Sequence, residues 1–577
     1  MWRKVEPMRI ISLFTLVLVA VIPISTAGAQ SIDEARAMAD QATTKARAGQ
    51  TNEALQLYAR ALVIAPENME ILRDYAVVLG WAGQYSTAIP VIRKVRALES
   101  DQPDWARREF AATYLFGDLP AEALKAYDDL IARGDGSEQT LNRRALALRW
   151  LGKTDLARTA YRGLVEHYPK SVDGTVGLAY TMSDEGELSE ALSYLESNTQ
   201  VSPQDPEILK ARIRILNWMG RHYEAQRLLA TLPPTLRDDR EVLEDRIAAS
   251  RWGGNPNGAM QDLNRLTQLF PGAASRQISR ELRTEYGQSA SPFFRFAKDN
   301  DGLMDRSAGG DVTVHLNPAY AVHVGYQYRW LEQQQEIRAL LHYDLGFSGV
   351  VNRRISFYTT VGTVDYRTNG LRRKTTGDAS VTVALNDRLR ITGGAGSIAM
   401  DAYQSIPRQV TAPFVFGDVS FNFDSNTRFQ TRVSRYSFSD GVIRRRADFQ
   451  IMRSVFREPR FKLNAGWRSS FMGHDNETPD FWSPSRFQSH FAVAQGEGRL
   501  TSWLDYSAEI AGGWQSEPGI AIQHPFQTVG RVVVHPNRYF RVVLETGRST
   551  SSMDRALPGQ RNYSRWVNGA TLELRFP

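Results

Sequence analysis

Charged side chains recur on one phase of the alternating segments in the C-terminal half of the chain. Residues 427–434 and 461–468, for example, alternate apolar and polar side chains, and a period of two is typical of β-strands. Because nearly every segment carries arginine, lysine or carboxylates on its polar phase, we expect these strands to enclose a wet interior. The predicted pore-lining residues are Arg338, Asp344, Arg390, Arg428, Arg432, Lys462, Arg468, Asp505, Glu509 and Glu545.

The arginines of this set allow more than one interpretation. Arginine grips carboxylates and stacks on rings, so Arg338, Arg390, Arg428, Arg432, Lys462 and Arg468 would bias a pore toward anionic or heavily hydroxylated solutes. Alternatively, the carboxylates on neighbouring strands balance them, and loop arginines such as Arg372 and Arg444 pair with anionic lipid headgroups. Both interpretations stay open at the level of the sequence.

Residues for catalysis or metal binding form no convincing constellation. The chain has no cysteine, and we find no Ser nucleophile elbow, no H-E-x-x-H and no phosphate-binding glycine loop. Asp299, Asp301 and Asp305 cluster without the spacing of a calcium loop. We therefore expect no catalytic residue, no cofactor and no metal, and regard an enzyme inside the barrel as a remote alternative.

Short polar turns divide the C-terminal half at regular intervals. They fall at Asn317-Pro318, Asn352-Arg353, Asn386-Asp387, Asp424 to Asn426, Glu458-Pro459, Gly498-Arg499 and Pro536-Asn537, 34 to 40 residues apart. Each interval leaves room for two strands of about 9–11 residues and one longer loop. The longer connections lie at 367–375, 436–445, 471–488, 513–527 and 549–565. This spacing predicts an antiparallel transmembrane β-barrel of about 16 strands, with soluble β-domains as the alternative.

The preceding segment has a different period. Glycines at positions 49, 83, 117, 152, 186, 220 and 254 are spaced by 34 residues, with one interval of 35, and an alanine usually follows five residues later. That period predicts seven tetratricopeptide (TPR) repeats, with a turn glycine and small residues at the helix crossings. Tyrosines at repeat positions, such as Tyr58, Tyr127 and Tyr161, are expected in the core. Such an array binds partners along its concave face.

Four segments follow from these patterns. Residues 1–29 are predicted to be a signal peptide, with basic Arg3, Lys4 and Arg9, an apolar run, and cleavage between Ala29 and Gln30. Residues 30–274 form the TPR superhelix, 275–290 a linker helix, and 291–577 the barrel. From residue 288 onward 35 Lys and Arg outnumber 26 Asp and Glu, a net charge of +9, yet an exported barrel makes nucleic acid an improbable partner.

A signal, a TPR array and a C-terminal barrel together resemble the outer-membrane exopolysaccharide export porins. The layout is similar to that of the poly-β-1,6-N-acetylglucosamine export porin family and, more distantly, the cellulose-synthase outer-membrane subunit. Phe481-Trp482-Ser483-Pro484 with Phe487, and Asp299-Asn300-Asp301-Gly302, look like motifs of that group. The array is shorter than in that group, and the barrel is net basic where poly-N-acetylglucosamine porins need an acidic path, so the identity of the polymer stays open.

The resemblance implies a function without bond chemistry. We expect an outer-membrane porin that exports an exopolysaccharide of the biofilm type, while its periplasmic TPR groove docks polymer-modifying or synthase proteins and its barrel contacts outer-membrane lipid. The alternative is a TPR scaffold or phage-adsorption receptor whose barrel is mainly an anchor.

Overall fold

The computed structural model describes residues 27–367, 371–458, 460–554 and 563–576, with the side chains of residues 27–30 and 554 left out. The predicted signal peptide lies outside the described residues up to position 26, and the predicted cleavage point falls within the first helix. The chain divides into two compact units, Met1–Thr181 and Met182–Pro577.

Fifteen α-helices precede the strands in the described residues, with α9 crossing the division between the units. In chain order they are α1 Ala27–Arg47, α2 Thr51–Ile64, α3 Met69–Trp81, α4 Tyr85–Leu98, α5 Asp104–Phe116, α6 Pro120–Ala132, α7 Glu138–Trp150, α8 Thr154–His167, α9 Val172–Asp184, α10 Leu188–Ser197, α11 Pro206–Trp218, α12 His222–Leu229, α13 Arg240–Trp252, α14 Pro256–Leu269 and α15 Ala273–Glu285.

In the first unit the helices pack in pairs around small residues. Ala54, Ala88, Ala123 and Ala157, each following a repeat turn, are fully buried, because two helices can approach closely only where the side chain is small. Tyr58, Tyr127 and Tyr161 fill the space beside them and are also buried. The prediction that these tyrosines belong to the core is confirmed.

A left-handed residue connects the two helices of each pair and explains the irregular interval. Gly83 has φ +69° and Gly152 has φ +69°, a conformation that glycine adopts without strain. In the third pair Gly117 has φ −88°, and Asp118 takes the left-handed position with φ +64°. The turn position of this repeat is therefore residue 118, one residue after the glycine at position 117.

The second unit begins with the remaining helices of the array. Ala191, Ala225 and Ala259 repeat the buried small position, and α15 covers the last pair through Leu282, which packs in one cluster with Leu263 and Leu266. The chain then turns directly into the first strand at Gly287, where an added Cβ would lie 1.9 Å from the carbonyl oxygen of Phe576. No helix in the described residues is long and apolar enough to cross a membrane.

In the part of the chain that the structure describes, sixteen antiparallel strands close into a barrel, and a short seventeenth, β14, extends one connection. The strands are β1 Gln288–Asp299, β2 Met304–Asn317, β3 Tyr320–Gln333, β4 Glu336–Asn352, β5 Ile355–Tyr366, β6 Lys374–Ala384, β7 Leu389–Ala399, β8 Thr411–Asn422, β9 Thr427–Ser437, β10 Ile443–Glu458, β11 Phe461–His474, β12 Phe487–Thr501, β13 Leu504–Glu517, β14 Ile520–Gln523, β15 Phe526–Asn537, β16 Phe540–Ser549 and β17 Arg565–Phe576. Each strand pairs with its sequence neighbour, and β1 pairs with β17 from Gln288 opposite Phe576 to Asp299 opposite Arg565. The predicted fold class, TPR repeats followed by a sixteen-strand barrel, is confirmed.

Within the described residues, which do not include Pro459, the short turns connect strands where the sequence predicted them, with two exceptions. Pro536 and Asn537 lie inside β15, and the turn follows at Arg538-Tyr539. Gly498 and Arg499 lie inside β12, opposite Tyr506 and Asp505 of β13, and the turn follows at Ser502-Trp503. That prediction was wrong because a bulge between Arg499 and Thr501 carries the strand past the glycine. The first strand also begins at Gln288, three residues before the predicted start of the barrel.

Candidate functional site

The two faces of the barrel differ in polarity. On the outer face Tyr326, Tyr343 and Leu345 are among many large apolar side chains that stand exposed. Aromatic contacts occur near both rims of that face: Tyr328 lies 5.5 Å from Trp330 by ring centroids toward one end, and Tyr320, Phe347 and Phe357 cluster toward the other. An apolar band between aromatic girdles is the surface that a bilayer covers.

On the inner face, arginine and lysine residues of β9 and β11 pair with carboxylates across the strands. Arg432 approaches Asp418 at 3.6 Å, Lys462 approaches Glu497 at 3.0 Å, and Arg468 approaches Glu509 at 2.8 Å. The strand ladder places Arg432 directly opposite Asp418 and Lys462 directly opposite Glu497. Glu509 lies two strands from Arg468, four residues along β13 from the position level with it. The balanced-charge interpretation therefore describes these three predicted pore residues.

Of the other predicted pore carboxylates, two have a cationic partner and one does not within the described residues. Glu545 accepts from Arg531 at 2.6 Å, and Asp505 lies 3.0 Å from Arg499 and 2.9 Å from His535. For Asp344 the described residues show no ion pair.

Asp344 instead belongs to an acidic stretch of wall. The ladder places Gly325 between Asp311 and Asp344, and a Cβ at Gly325 would lie 2.3 Å from the Asp344 carboxylate. Because Gly325 has no side chain, the carboxylates of Asp311 and Asp344 have room on either side of it. Asp378, two strands further on, is held by the hydroxyl of Thr360 at 2.7 Å.

Arg390 and Arg428 stand further along the barrel wall, on β7 and β9. They line a cavity of about 900 Å³ with Arg432, Arg446 and Arg468. Arg428 donates to the side-chain oxygen of Asn422 at 3.2 Å, and neither Arg390 nor Arg428 has an ion pair within the described residues. The described lumen thus has an acidic side on β2, β4 and β6 and a side on β7 to β11 where two arginines lack a carboxylate.

At one end, the connection between β7 and β8 folds into the barrel. Tyr403 and Ile406 are buried against Leu331 and Leu340 of the inner wall. Arg338 holds this loop, since its guanidinium lies 3.9 Å from the Tyr403 ring centroid and donates to the Tyr403 carbonyl at 2.5 Å. The predicted pore residue Arg338 is therefore an anchor for a loop, and the sequence analysis did not identify this connection among the longer ones.

The connection between β11 and β12 folds over the same end. Phe481 packs against Phe438 at 4.6 Å between ring centroids, and Trp482 donates its indole N–H to Glu517 at 3.1 Å. Asp480, nearly fully buried, pairs with Arg408 of the β7–β8 loop at 3.1 Å. The aromatic-Ser-Pro segment thus links two loops that narrow this end of the lumen.

At the opposite end, the short turns contact α12. The Asp387 carboxylate, in the β6–β7 turn, accepts from the backbone N–H groups of Tyr223 at 2.9 Å and Glu224 at 3.2 Å, at the start of α12. Burial raises the pKa of Asp387, and these two N–H bonds partly offset that rise. The Tyr223 hydroxyl also donates to the carbonyl of Arg353 in the β4–β5 turn.

Indole rings from the last helices line the same mouth. Trp252 borders the 900 Å³ cavity together with His222 and Tyr223, and Trp218 borders an adjoining cavity of about 520 Å³ that Lys462 also lines. Burial lowers the pKa of His222 to about 4. The sequence analysis missed these tryptophans, although both stand two residues before a repeat glycine.

The acidic cluster of Asp299, Asp301 and Asp305 is held by hydrogen bonds and ion pairs within the protein. Asp299 accepts from the backbone N–H groups of Asp301 at 3.0 Å and Leu303 at 2.9 Å, and Asp305 binds Arg329 and Arg565 at 2.8 Å each. Among the described residues no group of three or more metal-ligating side chains is assembled.

Comparison with known families and structures identifies the repeats. Tetratricopeptide-repeat families match residues 45–109, 141–171 and 182–244. The chain is similar to a bacterial polysaccharide outer membrane secretin, at 12% identity and a TM-score of 0.44 over 51% of this chain and 99% of that one. It is also similar to a tetratricopeptide repeat protein from Parabacteroides merdae, at 15% identity and a TM-score of 0.37 over 44% and 99% of the two chains.

A further similar structure is MamA from Desulfovibrio magneticus, at 18% identity and a TM-score of 0.27 over 29% of this chain and 94% of that one. No curated protein sequence matches the chain significantly. In its order of domains the chain resembles the exopolysaccharide export porins, as predicted, because TPR repeats precede a sixteen-strand barrel.

Proposed function

We propose that this protein is an outer-membrane porin that exports an exopolysaccharide through its barrel, while its TPR repeats dock periplasmic polymer-modifying or synthase proteins. The observation that carries the proposal is the inner face of the barrel, where charged side chains of adjacent strands, such as Arg432 and Asp418, pair beside a cavity of about 900 Å³. A hydrated, polar passage inside an apolar outer face suits a hydroxylated polymer.

The orientation follows from the connections. Outer-membrane barrels carry their short turns on the periplasmic side and their longer loops outside. Here the helices join β1 at the end where the short turns lie. The proposal therefore puts the TPR array in the periplasm and the β7–β8 and β11–β12 loops at the cell surface.

Paired charges suit a polymer that must keep moving. Arg468 can donate hydrogen bonds to a passing polymer, and Glu509 beside it can accept them. Because the two charges neutralise each other, neither group should bind the polymer tightly enough to stop it. The proposal includes no bond making or breaking, and the driving force would come from synthesis at the inner membrane. The polymer's own charge is left open.

The two inward loops require that the outer end opens during transport. Loop 400–410 rests on the wall through Arg338, and Arg408 joins it to Asp480 of the second loop. Replacing residues 401–409 by a short Gly-Ser linker should raise the single-channel conductance of the full chain in a planar bilayer. Arg338→Ala should do so less, because it removes one anchor and keeps the apolar contacts of Ile406.

Arg538→Ala is the matched control, since this exposed arginine lies in the turn between β15 and β16. Its conductance should equal that of the parent chain. A folded barrel that fails to conduct even after both inward loops are shortened would contradict export.

The same loops favour the rival function, a scaffold or adsorption receptor whose barrel is an anchor, because an anchor does not need an open passage and can keep a narrowed end. Deleting the gene and measuring secreted polysaccharide separates the two functions. Export predicts a loss of secreted polymer that the wild-type gene restores, and unchanged secretion would leave the scaffold function.

A further inference from the structure

An aromatic residue recurs at one position of the TPR repeat. The left-handed turn residues stand at 83, 118, 152, 220 and 254, and the residue two positions before each of them is aromatic. These residues are Trp81, Phe116, Trp150, Trp218 and Trp252. The first repeat has Arg47 at this position and the fifth has Asp184, so five of seven repeats keep the ring.

These rings are exposed, unlike the tyrosines of the repeat core. Between 44% and 58% of their surface is accessible, whereas Tyr58, Tyr127 and Tyr161 are accessible over 1% or less. Exposed apolar residues scattered singly need no explanation. A ring that returns at one structural position, on the last turn of the first helix of successive pairs, does need one.

In the first unit these rings stand at the ends of neighbouring helices. Helix α3 contacts α5, and α5 contacts α7, so the helix ends that carry the rings are neighbours. Phe116 lies 6.1 Å from Trp150 and 6.5 Å from Tyr85 by ring centroids. Trp81 donates its indole N–H to Glu109 at 2.9 Å, which leaves its ring faces accessible beside a polar group.

In the second unit the same position faces the lumen. Helix α11 contacts α13, which brings their ends together. Trp218 and Trp252 line the two cavities at the inner mouth, beside lumen residues such as Arg428 and Lys462. A ligand that contacts these two rings therefore also contacts the polar wall of the barrel.

The arrangement fits a chain of sugar rings better than a protein segment. The C–H groups on the face of a pyranose ring pack on the electron-rich face of an aromatic ring, and its hydroxyl groups both donate and accept hydrogen bonds. Polar groups stand beside these rings and supply the second kind of contact: Glu109 accepts from the Trp81 indole, and the Arg251 guanidinium lies over one face of Trp252 and leaves the other face for a sugar. An amphipathic helix would require a continuous apolar groove with anchors at i, i+3, i+4 and i+7.

We propose that the aromatic side chains at this repeat position (Trp81, Phe116, Trp150, Trp218 and Trp252, the aromatic row) bind a pyranose polymer by stacking within each unit, and that Trp218 and Trp252 present the polymer to the lumen. The inference rests on the proposed export function, which supplies a polymer at this mouth. It adds direct polymer binding by the repeats to the docking of partner proteins.

Titration calorimetry on the full chain tests the row. The protein is held in a detergent without a sugar headgroup, because maltosides would compete, and is titrated with cellohexaose and with N-acetylchitohexaose. At least one hexamer should bind. Phe116→Ala with Trp150→Ala, and Trp218→Ala with Trp252→Ala, should each weaken binding by about tenfold, the usual loss when a central contact is truncated.

Trp105→Ala is the matched control, because Trp105 is an equally exposed tryptophan on α5 outside the row. It should leave the affinity unchanged, and Trp150→Tyr should retain most of the binding that Trp150→Ala loses. Helical circular dichroism checks that each variant is folded.

Absence of binding to both hexamers, or equal weakening by Trp105→Ala, would overturn the inference. It would also be overturned if the row variants lost only a periplasmic protein partner while no hexamer bound. Conductance measured on the same preparation keeps the two proposals apart, since a chain that binds hexamers but never conducts refutes export and leaves the row as a sugar-binding surface.

Discussion

Tyrosine side chains lie on opposite sides of the structure in the two regions of the molecule. In the helical repeats Tyr127 and Tyr161 are buried between helices, whereas in the barrel Tyr326 and Tyr343 stand on the outer face, 5.8 Å apart by ring centroids. Ion pairs show the opposite distribution. Arg265 pairs with Asp238 on the exposed surface of the array, whereas Arg468 pairs with Glu509 inside the barrel.

The difference shows that the exposed fraction of a side chain does not by itself predict how much a substitution there changes stability. A leucine exposed on a helix faces water, whereas one exposed on the barrel faces lipid if the barrel lies in a membrane. The same substitution should therefore have different consequences in the two regions. Variants matched for exposure can measure that difference.

The largest effect is expected in the repeat core. Tyr127→Ala removes a fully buried ring that packs with Leu115 and Leu130, and truncating a buried aromatic residue costs about 3–5 kcal/mol. Thermal melting followed by the helical circular dichroism signal measures the loss. Val63→Ala, at a side chain 82% exposed on α2, should shift stability by less than ~0.5 kcal/mol. Equal losses for both variants would contradict the assignment of Tyr127 to the core.

A pair of leucines tests the two surroundings directly. Leu345 in β4 is 53% exposed and Leu156 in α8 is 56% exposed. Leu345→Arg should destabilise the barrel by about 2–4 kcal/mol, since an arginine near the middle of a bilayer is costly, and Leu156→Arg should stay within about 0.5 kcal/mol of the parent. Urea unfolding in lipid vesicles measures both. A neutral Leu345→Arg would refute the lipid-facing assignment.

The sequence predicted most of this architecture because its signals are periodic. The 34-residue spacing located the repeats, and the polar turns such as Asn352-Arg353 located the strands, since a barrel strand has a nearly fixed length. The irregular interval at Gly117 could not be resolved from the sequence, because only the backbone angle shows that Asp118 takes the turn position.

The candidate site was predicted less completely. Alternation placed Arg432, Lys462 and Arg468 on the polar phase, but pairing depends on the register between strands, which a single strand does not encode. The inward fold of loop 400–410 depends on distant contacts between Tyr403 and the wall, which no local pattern reports. The tryptophans before the repeat glycines could have been predicted from the sequence, because Trp218 and Trp252 are separated by 34 residues, which is the repeat length.

Acid should act on the array through His222. Burial lowers its pKa to about 4 in the folded chain, whereas an unfolded histidine titrates near 6.5. Between these values the unfolded state binds more protons, so this histidine's contribution to stability is lost as the pH falls from about 6.5 to about 4. His222→Asn should therefore gain roughly 2 kcal/mol relative to the parent between pH 7.5 and pH 4.5.

The measurement is the difference in helical melting between variant and parent at the two pH values. Asp245 contributes with the opposite sign, because burial raises its pKa to about 6 despite Arg214, so the parent's own pH profile is a sum of both groups. A difference between variant and parent that stays the same at both pH values would refute the role of burial at His222.

The smallest effect is expected in the lumen, where most charges are balanced. Arg390 and Arg428 lack a carboxylate partner among the described residues, so Arg390→Ala with Arg428→Ala should shift the ratio of cation to anion permeability toward cations, by about threefold at low salt. Reversal potentials across a salt gradient measure the ratio. Arg435→Ala with Arg453→Ala removes two arginines that share the outward phase with Val433 and Ile451, and this control should leave the ratio unchanged. An equal shift in both double variants would contradict this prediction. The permeability ratio would then depend on the total charge of the barrel and not on the position of Arg390 and Arg428 in the lumen.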